Sequence, residues 1–497
     1  MSRKVVVIGS GFAGLSAASF MARAGWDVTV LEKHAIPGGR ARYLKAEGFT
    51  FDMGPSWYWM PDVFERYFAC FGKNVSDYYR LIRLDPSYRV YYPDGPMDVP
   101  ADLSALQELF ESMEPGAGKQ LQKFLEEAAY KYEVGINKLV FKPGQSVKEF
   151  LDWDLAKGLF KLDVFRSMKA HVAKYFKHPK LVELMEFPVL FLGALPEKTP
   201  ALYSLMNYAD IKGGTWFPEK GMYQIVQAMY DLAVELGVRF EFEQEVTAID
   251  ITGNRAKSVQ AKTPQGATVS YDADVVIGGA DYHHIETQLL PVASRSYTDA
   301  YWDSRVMAPG CILYYVGLNK KLNNIQHHSL FFDTSFAIHG KEIYDTKQWP
   351  SNPLFYVSAV SVTDPSSAPE GCENLFLLIP VATGLENDTE ELRERYFDQI
   401  VTRIEKHLGQ SIKDAVIYKK SFAHSDFISE YHAFKGNAYG LANTLQQTAV
   451  LKPSCRSKKV SNLFYTGQLT VPGPGVPPSL ISGEVVAGEV VKAFGKA

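Results

Sequence analysis

The pattern of apolar positions near the start of the chain predicts a strand, a helix and a second strand. Residues 5–8 are a β-branched apolar run, which is typical of a buried strand in a parallel sheet. Residues 16–24 are mostly small and apolar, which suits a helix packed closely on a sheet, and Gly25 ends that helix. Residues 28–31 are the second apolar run. This succession predicts a βαβ unit.

Helical spacing then dominates the region between residues 102 and 180. Apolar residues recur every three or four positions, which predicts helices over residues 103–113, 119–140, 146–160 and 163–176. Shorter apolar runs predict a hairpin over residues 88–99 and later strands over residues 273–280, 311–318, 354–362 and 375–381. Helical spacing returns over residues 390–408 and 479–494.

These patterns predict a chain of the α/β class, α+β overall, divided among three units. The 497 residues exceed what one compact core normally holds. We expect residues 1–100, 209–290 and 455–497 to build one domain around a parallel sheet. Residues 101–208 are predicted to form a helical insertion, and residues 291–454 a sheet-rich domain.

The first apolar run ends in a glycine motif. Gly9, Gly11 and Gly14 form GxGxxG directly before the predicted helix. The first glycine permits a tight turn, the second lets the backbone approach a pyrophosphate, and the third lets helix and strand touch. Glu32, at the end of the second strand, can accept hydrogen bonds from a ribose. Together these features predict a Rossmann-like dinucleotide-binding domain.

Two further motifs bear on which dinucleotide is bound. Gly38, Gly39 and Arg40 follow the second strand at once, and the guanidinium can lie against the pyrophosphate. Residues 51–56 then read FDMGPS. This pair of motifs resembles the FAD-binding amine-oxidase-like flavoproteins and not the NAD dehydrogenases, which lack both elements.

A turn rich in proline and glycine leads into the last predicted helix. Residues 472–478 read PGPGVPP, and proline suits the first turn of a helix. The positive end of that helix would point at the N1–O2 edge of the flavin. It would stabilise the negative charge that develops when the ring accepts a hydride.

Taken together, the motifs resemble those of bacterial carotenoid desaturases of the phytoene desaturase type. They include FDMGPSWYWMPDVFE from Phe51, GTWFPEKGM from Gly214, TDPSSAPEGCENLF from Thr363 and GQLTVPGPGVPPSLISGE from Gly467. Lys220 departs from the family pattern, because it stands where a glycine is usual. The resemblance implies FAD as sole cofactor and conversion of phytoene toward lycopene, by hydride transfer to flavin N5 and loss of a proton.

The motifs and the resemblance together give a set of predicted cofactor-binding residues. They are Gly9, Gly11, Phe12, Ala13, Gly14, Glu32, Lys33, Gly38, Gly39, Arg40, Gly54, Pro55, Ser56, Val246, Asp281, Gly467, Gly475, Val476 and Pro477. Catalytic residues remain unassigned, with Lys148, Glu149 and Asp152 as candidate acid–base helpers. We predict no metal site, since the histidines are dispersed. The pairs at 283–284 and 327–328 are interpreted as turn or surface residues.

Charge and cysteine content exclude several other classes. The formal net charge of −4 gives no reason to expect nucleic acid as a partner. The four cysteines are scattered without a CxxC, which fits a reducing compartment. The first strand begins close to Met1, so we expect no signal peptide. No apolar run reaches the roughly 18–20 residues of a spanning helix, so we expect membrane contact to be peripheral, on the cytoplasmic side.

Residues 157–180 interleave cations with large apolar residues. Seven lysines and arginines stand against a single acid, Asp163. Such a segment suits a membrane interface, where cations meet anionic lipid. A carotenoid is insoluble in water and would come from a bilayer, so we expect monotopic attachment here. The alternative is a solvated lid helix whose apolar face packs inward.

Several alternatives stay open at this point. Residues 57–61 and 187–195 are either core or the lining of an apolar tunnel. The same scaffold could serve an amine oxidase, a redox-neutral carotenoid isomerase or saturase, a desaturase of a hydroxycarotenoid or of diapophytoene, or a non-enzymatic lipid-binding protein. Because the chain has one nucleotide motif, we expect oxygen or a membrane quinone, and not NAD(P), to reoxidise the flavin.

Overall fold

A computed structural model describes residues 3–150 and 162–497. Its strands, in chain order, are β1 (Lys4–Ile8), β2 (Asp27–Leu31), β3 (Tyr43–Ala46), β4 (Phe49–Asp52), β5 (Leu81–Arg83), β6 (Tyr88–Tyr92), β7 (Gly95–Val99), β8 (Trp216–Pro218), β9 (Arg239–Glu241), β10 (Glu245–Thr252), β11 (Arg255–Lys262), β12 (Thr268–Asp272), β13 (Val275–Gly278), β14 (Gly310–Leu318), β15 (His328–Phe331), β16 (Phe355–Ser358), β17 (Glu373–Val381), β18 (Val416–Phe422) and β19 (Leu463–Tyr465). Its α-helices are α1 (Phe12–Arg23), α2 (Pro61–Ala69), α3 (Leu103–Met113), α4 (Ala117–Val134), α5 (Met168–Val172), α6 (Pro179–Glu186), α7 (Leu205–Tyr208), α8 (Tyr223–Glu235), α9 (Tyr282–His284), α10 (Asp299–Asp303), α11 (Phe336–Lys341), α12 (Glu390–Leu408), α13 (His424–Tyr431) and α14 (Val476–Phe494).

The first strand lies at the centre of a parallel sheet in the order β19–β13–β1–β2–β9. Its side chains alternate between two cores. Val5 and Val7 face α1, α8 and α14, whereas Val6 and Ile8 face the antiparallel sheet β10–β11–β12. Burial of both faces explains the unbroken apolar run in the sequence. The predicted Rossmann-like domain with a parallel sheet is confirmed, and its strands come from three separate parts of the chain.

A mixed sheet in the order β18–β14–β17–β16–β15–β6–β7 forms the second domain. It is antiparallel except where β15 runs parallel to β6, with Leu330 opposite Val90. The hairpin of residues 88–99 therefore belongs to this sheet, although the sequence assigned it to the first segment. Its partner strand lies more than 200 residues away, which local hydropathy could not reveal.

The helical insertion covers one face of the mixed sheet. Phe110 and Phe124, from α3 and α4, belong to the same buried core as Tyr315 of β14. Helix α12 covers the opposite face, where Ile400 packs in one core with Ile312. The mixed sheet thus lies between two helical layers, and the insertion is the layer nearer to the motif at residues 51–56.

Helix bounds agree with the sequence pattern in some places and differ in others. Helices α3 and α12 have the predicted bounds. The helix predicted over residues 163–176 is wrong in length, because Ser167 caps the short helix α5 by accepting from Ala170 N at 3.2 Å. Most of the helix predicted over residues 146–160 lies outside the described residues. In the described part of the chain, no helix has the length and apolar character needed to cross a bilayer.

Candidate active site

The glycine motif forms an open cradle at the start of α1. Gly9 adopts φ 92°, and a Cβ on Gly14 would lie 2.0 Å from the Gly9 carbonyl oxygen, so only glycine lets α1 begin this close to β1. A Cβ on Gly11 would meet no atom within 4 Å. No side chain caps the N terminus of α1, which begins with Phe12 and Ala13. Its free backbone N–H groups suit an anionic pyrophosphate.

Glu32 joins the glycine loop to the end of β2. One carboxylate oxygen accepts hydrogen bonds from the backbone N and the hydroxyl of Ser10, at 2.8 and 2.6 Å. The other accepts from His34 N at 2.9 Å. Lys33 instead donates to the carbonyl of Ser429 at 3.1 Å. Val246, the second residue of β10, lies in the same core as Ile8 and Leu31, so this predicted cofactor-binding residue lies near the end of β2 that carries Glu32.

The GGR turn lies directly on the glycine loop. Gly38 N donates to the carbonyl of Ser10 at 2.9 Å, and a Cβ on Gly39 would lie 3.6 Å from Gly11 Cα. Gly54 packs against the backbone of this turn, since a Cβ there would lie 2.5 Å from the Arg40 carbonyl oxygen. Pro55 and Ser56 continue from it, half-buried.

Arg40 is a half-buried cation whose guanidinium has spare donor capacity. It donates to the Asn437 carbonyl at 3.3 Å, and its guanidinium carbon lies 5.3 Å from the centre of the Tyr431 ring. Gln468, with its amide oxygen toward Arg40, accepts from the guanidinium at 3.1 and 3.3 Å. Arg40 Nε has no partner among the described residues, and burial lowers the Arg40 pKa. A partly unpaired guanidinium beside the glycine loop fits a pyrophosphate.

The C-terminal motif closes the cradle from the other side. A Cβ on Gly467 would lie 3.8 Å from Ala13 Cβ, at the start of α1. Gly475, at φ 113°, begins α14 without a side-chain cap, and Val476 and Pro477 form its first turn. Asp281 caps α9 and accepts from Phe434 N at 3.2 Å, and burial raises its pKa despite the charge of Arg40. The residues present therefore fit a flavin dinucleotide.

Comparison with known proteins agrees with this geometry. The chain matches the family of flavin containing amine oxidoreductases over residues 12–491. It is 42% identical to a carotenoid 3,4-desaturase of Haloarcula japonica over 98% of both chains. The chain belongs to the carotenoid desaturases of the flavin containing amine oxidoreductase family. Its cofactor is FAD.

Other relatives support the same assignment, and solved structures share the fold. A zeta-carotene-forming phytoene desaturase of Myxococcus xanthus is 32% identical over 97% of this chain and 93% of its own. A 4,4'-diapophytoene desaturase of Staphylococcus aureus is 30% identical over 98% and 99%. An oxidoreductase of Methanosarcina mazei superposes with a TM-score of 0.62 at 17% identity over 98% and 100%. Putrescine oxidase superposes with a TM-score of 0.61 at 12% identity over 99% of both chains, which is a likeness of fold alone.

An aromatic group adjoins the cofactor side of this carotenoid desaturase. We define it as Trp57, Tyr88, Phe187, His328 and Tyr356. The indole stacks on the imidazole at 4.2 Å, and the other three ring centres lie 5.3–6.4 Å from it. The two apolar stretches identified in the sequence therefore meet, one residue beyond the predicted FAD-binding turn that ends at Ser56.

The histidine pair beneath Trp57 corrects a prediction. His327 and His328 are buried core residues and not surface residues. His328 Nδ1 lies 2.6 Å from the Tyr356 hydroxyl, and His327 Nδ1 lies 2.8 Å from the Thr363 hydroxyl. Burial lowers the pKa of His327 to about 3, so the ring is neutral at physiological pH.

A buried carboxyl group lies on the edge of the aromatic group. Asp210 accepts hydrogen bonds from the hydroxyls of Tyr88 and Thr215, at 2.8 and 3.1 Å, and Thr215 accepts in turn from Trp59 Nε1. Burial raises the pKa of Asp210 to about 6. Local pattern gave no sign of this residue, because one of its two partners, Tyr88, lies more than 120 residues away in the chain.

The three acid–base candidates occupy different environments. Lys148 is exposed. Glu149 accepts from the backbone N–H groups of Gly144, Gln145 and Ser146 at 2.9–3.0 Å, so its carboxylate fixes a loop. Asp152 lies outside the described residues.

One set of metal-type ligands occurs among the described residues, namely Glu127, Asp163 and His171. The ammonium of Lys131 lies among them, 3.5 Å from Asp163 Oδ2 and 3.3 Å from His171 Nε2. Burial and this neighbouring cation lower the pKa of His171 to about 4. The cluster thus surrounds a buried lysine.

Several residues of the cofactor site were not predicted. They are Ser10, Arg42, Tyr431, Asn437 and Gln468. Gln468 directly follows a predicted glycine, and Asn437 lies in the glycine-punctuated loop at residues 436–440, so both had a local signal. Ser10 lies inside the GxGxxG motif and had one too, whereas Arg42 and Tyr431 had none.

Proposed function

We propose that the chain introduces a double bond at the 3,4 position of a C40 carotenoid. The identity of 42% over 98% of both chains to a carotenoid 3,4-desaturase supports this position. The observation that supports a polyene substrate is the aromatic group itself. Trp57 directly follows the predicted FAD-binding turn at Gly54–Ser56 and contacts the other rings, and flat apolar rings suit a rigid conjugated chain.

Conversion of phytoene toward lycopene is the second candidate. It rests on the sequence motifs and on the identity of 32% to a phytoene desaturase. When bound, FAD supplies the oxidant that takes a hydride from an allylic carbon. The protein's own task is to hold the polyene against the half-buried ring of Trp57, to exclude water, and to present the positive end of α14 to the cofactor.

The test presents both substrates to one preparation. FAD-loaded protein is incubated in liposomes with phytoene or with a more conjugated acyclic carotenoid, and the products are followed by absorption and mass spectrometry. We expect loss of two hydrogens and a red shift with the conjugated substrate. Turnover of phytoene alone would favour the second candidate. Oxidation of small amines with neither carotenoid consumed would overturn the proposal.

We also propose oxygen or a membrane quinone as the electron acceptor. The single phosphate-binding glycine motif at Gly9 supports this, because a second nucleotide would need its own site. Desaturation that depends strictly on added NAD(P)+ would contradict it.

We further propose peripheral attachment to the cytoplasmic face of a membrane. Within residues 162–180, Met168, Val172 and Phe176 pack into the core, and Lys169 and Lys174 pair with Glu197 and Glu127 at 2.6 and 3.2 Å. Phe165 is different, because 88% of its surface is exposed and it precedes Arg166. An exposed aromatic residue beside a cation suits the lipid interface. Lys157 and Lys161 lie outside the described residues.

A further inference from the structure

Lys452 is a buried cation with a single side-chain partner. Only 5% of its surface is exposed, and its ammonium donates to Asn443 Oδ1 at 2.8 Å. Among the ion pairs of the described residues, none includes Lys452. Lys131 is also buried, but its ammonium has four partners: Asp163, His171, the Ala201 carbonyl and the Ser204 hydroxyl. An ammonium has three donors, so Lys452 has donors left to use.

The ammonium lies against the motif that leads into α14. A Cβ on Gly473 would come within 3.0 Å of Lys452 Nζ and 2.9 Å of Asn443 Oδ1, so a glycine is needed there. Gly473 stands two residues before Gly475, where α14 begins without a side-chain cap. Thr470 donates to the Pro453 carbonyl at 2.7 Å, which fixes the two segments together. A cation and a helix N terminus therefore share one side of the cofactor site.

Within residues 3–150 and 162–497, no anionic group pairs with this cation. Glu149 is bound to the backbone N–H groups of residues 144–146, and Cys455 Sγ donates to the Pro143 carbonyl at 3.7 Å. Tyr203, half-buried beside Thr448, is neutral because desolvation raises its pKa to about 12. Burial alone lowers the pKa of Lys452 to about 7, so in the cofactor-free protein its charge is costly.

We propose that Lys452 is a further cofactor-binding residue whose ammonium donates to the N1 and carbonyl edge of the flavin ring, beside the N terminus of α14. The inference rests on FAD binding and not on which carotenoid is desaturated. It assigns the chain a second positive element at the edge where the flavin gains negative charge on reduction.

The first test counts protons that accompany cofactor binding. FAD is titrated into deflavinated full-length protein by calorimetry in buffers of different ionisation enthalpy. The wild type should take up close to one proton per FAD at pH 8 and far less at pH 6, because binding restores the charge of Lys452. Lys452→Met should abolish the uptake and weaken FAD binding about ten- to hundredfold at pH 6. Lys452→Arg should retain affinity without uptake, since arginine is always charged.

Lys459→Met is the matched control, because Lys459 is exposed on the same segment. It should leave both affinity and proton uptake unchanged. If Lys452→Met does not fold, the wild type and Lys452→Arg still decide the question. Absence of proton uptake by the wild type at pH 8, or unchanged affinity in folded Lys452→Met, would overturn the proposal.

The second test asks whether the Lys452 ammonium contacts the flavin ring or the phosphates. Loss of a cation beside the reduced flavin should weaken binding of the reduced form more than that of the oxidised form. A tenfold difference corresponds to a midpoint potential about 30 mV lower for a two-electron couple, measurable by spectroelectrochemistry of Lys452→Met. Weaker binding with an unchanged potential would place the ammonium on the phosphates and overturn the assignment to the ring.

Discussion

Gly483 of α14 lies directly against Ala13 of α1. A Cβ on Gly483 would come 2.5 Å from the Ala13 carbonyl oxygen and 2.6 Å from Ala17 N. Ser16 reinforces the contact by donating to the Leu480 carbonyl at 2.7 Å. Helix α1, which carries the phosphate-binding N terminus, is therefore held in place by a helix more than 450 residues away in the chain.

We predict that Gly483→Val weakens both folding and cofactor retention. The added side chain must separate two backbones, which costs roughly 1–3 kcal/mol for overpacking. The melting temperature should fall, and bound FAD per chain should decrease. Gly488→Ala in the same helix is the control, because a Cβ there would meet nothing within 4 Å. Equal FAD content and stability in the two variants would contradict the prediction.

Glu32→Ala should release the cofactor without unfolding the chain. The carboxylate anchors both Ser10 and His34 and is the predicted ribose ligand. Its loss should weaken FAD binding at least about tenfold, as for hydrogen bonds to a charged group. Affinity is measured by flavin fluorescence, with Glu394→Ala as control because Glu394 lies on α12 and pairs with Lys419 of β18. Wild-type affinity in Glu32→Ala would refute the role.

Trp57→Ala should slow desaturation while leaving FAD bound. The indole contacts Tyr88, Phe187 and His328, so its removal opens the aromatic group next to the cofactor turn. We expect turnover to fall at least about tenfold, as for a misplaced substrate. Trp57→Phe should recover most of it. Lost FAD content in Trp57→Ala would show a structural role instead.

Replacing Asp210 by Asn should change how the free energy of unfolding depends on pH. The pKa of Asp210 is raised from 3.8 to about 6 by burial, so the folded state binds more protons than the unfolded state between these values. The stabilising contribution of the protonated form is complete below pH 3.8 and is lost as the pH rises through about 6. The stability of wild type relative to Asp210→Asn should therefore fall by roughly 1–3 kcal/mol over this interval. A difference that is flat or rises with pH would contradict the assignment.

Phe165→Ser should weaken attachment to vesicles. The exposed ring would otherwise enter the interface, and burying an aromatic side chain contributes roughly 1.5–3 kcal/mol. Co-sedimentation with anionic and neutral vesicles measures the change. Ile417→Ser, which removes another exposed apolar side chain, should bind as the wild type does. Equal binding by Phe165→Ser and wild type would exclude this site.

The cofactor cradle could be predicted from the sequence because its residues act through local geometry. Gly9, Gly14 and Gly475 are required by turns or close contacts within a few residues, and such requirements leave motifs. Lys220 shows the same backbone requirement at a position where this chain has no glycine. It adopts φ 72°, which explains why the family usually has a glycine there.

The substrate side was harder to predict because its residues act through distant partners. Met168 and Val172 look like a lipid-facing stripe until the core of α3 and α4 is seen around them. Lys169 and Lys174 look like free cations until Glu197 and Glu127 are placed beside them. Periodicity shows that a face is apolar and does not show what covers it.

The order of strands in the parallel sheet has a consequence for biosynthesis. β19 and α14 are translated after every other strand of that sheet, yet they complete the wall opposite Arg40. While residues 463–494 remain inside the ribosome, the nascent chain has an incomplete cofactor site, and the edge of β13 that later pairs with β19 is exposed. Flavin capture is then a late event of maturation, and the supply of FAD can limit how many finished chains escape degradation.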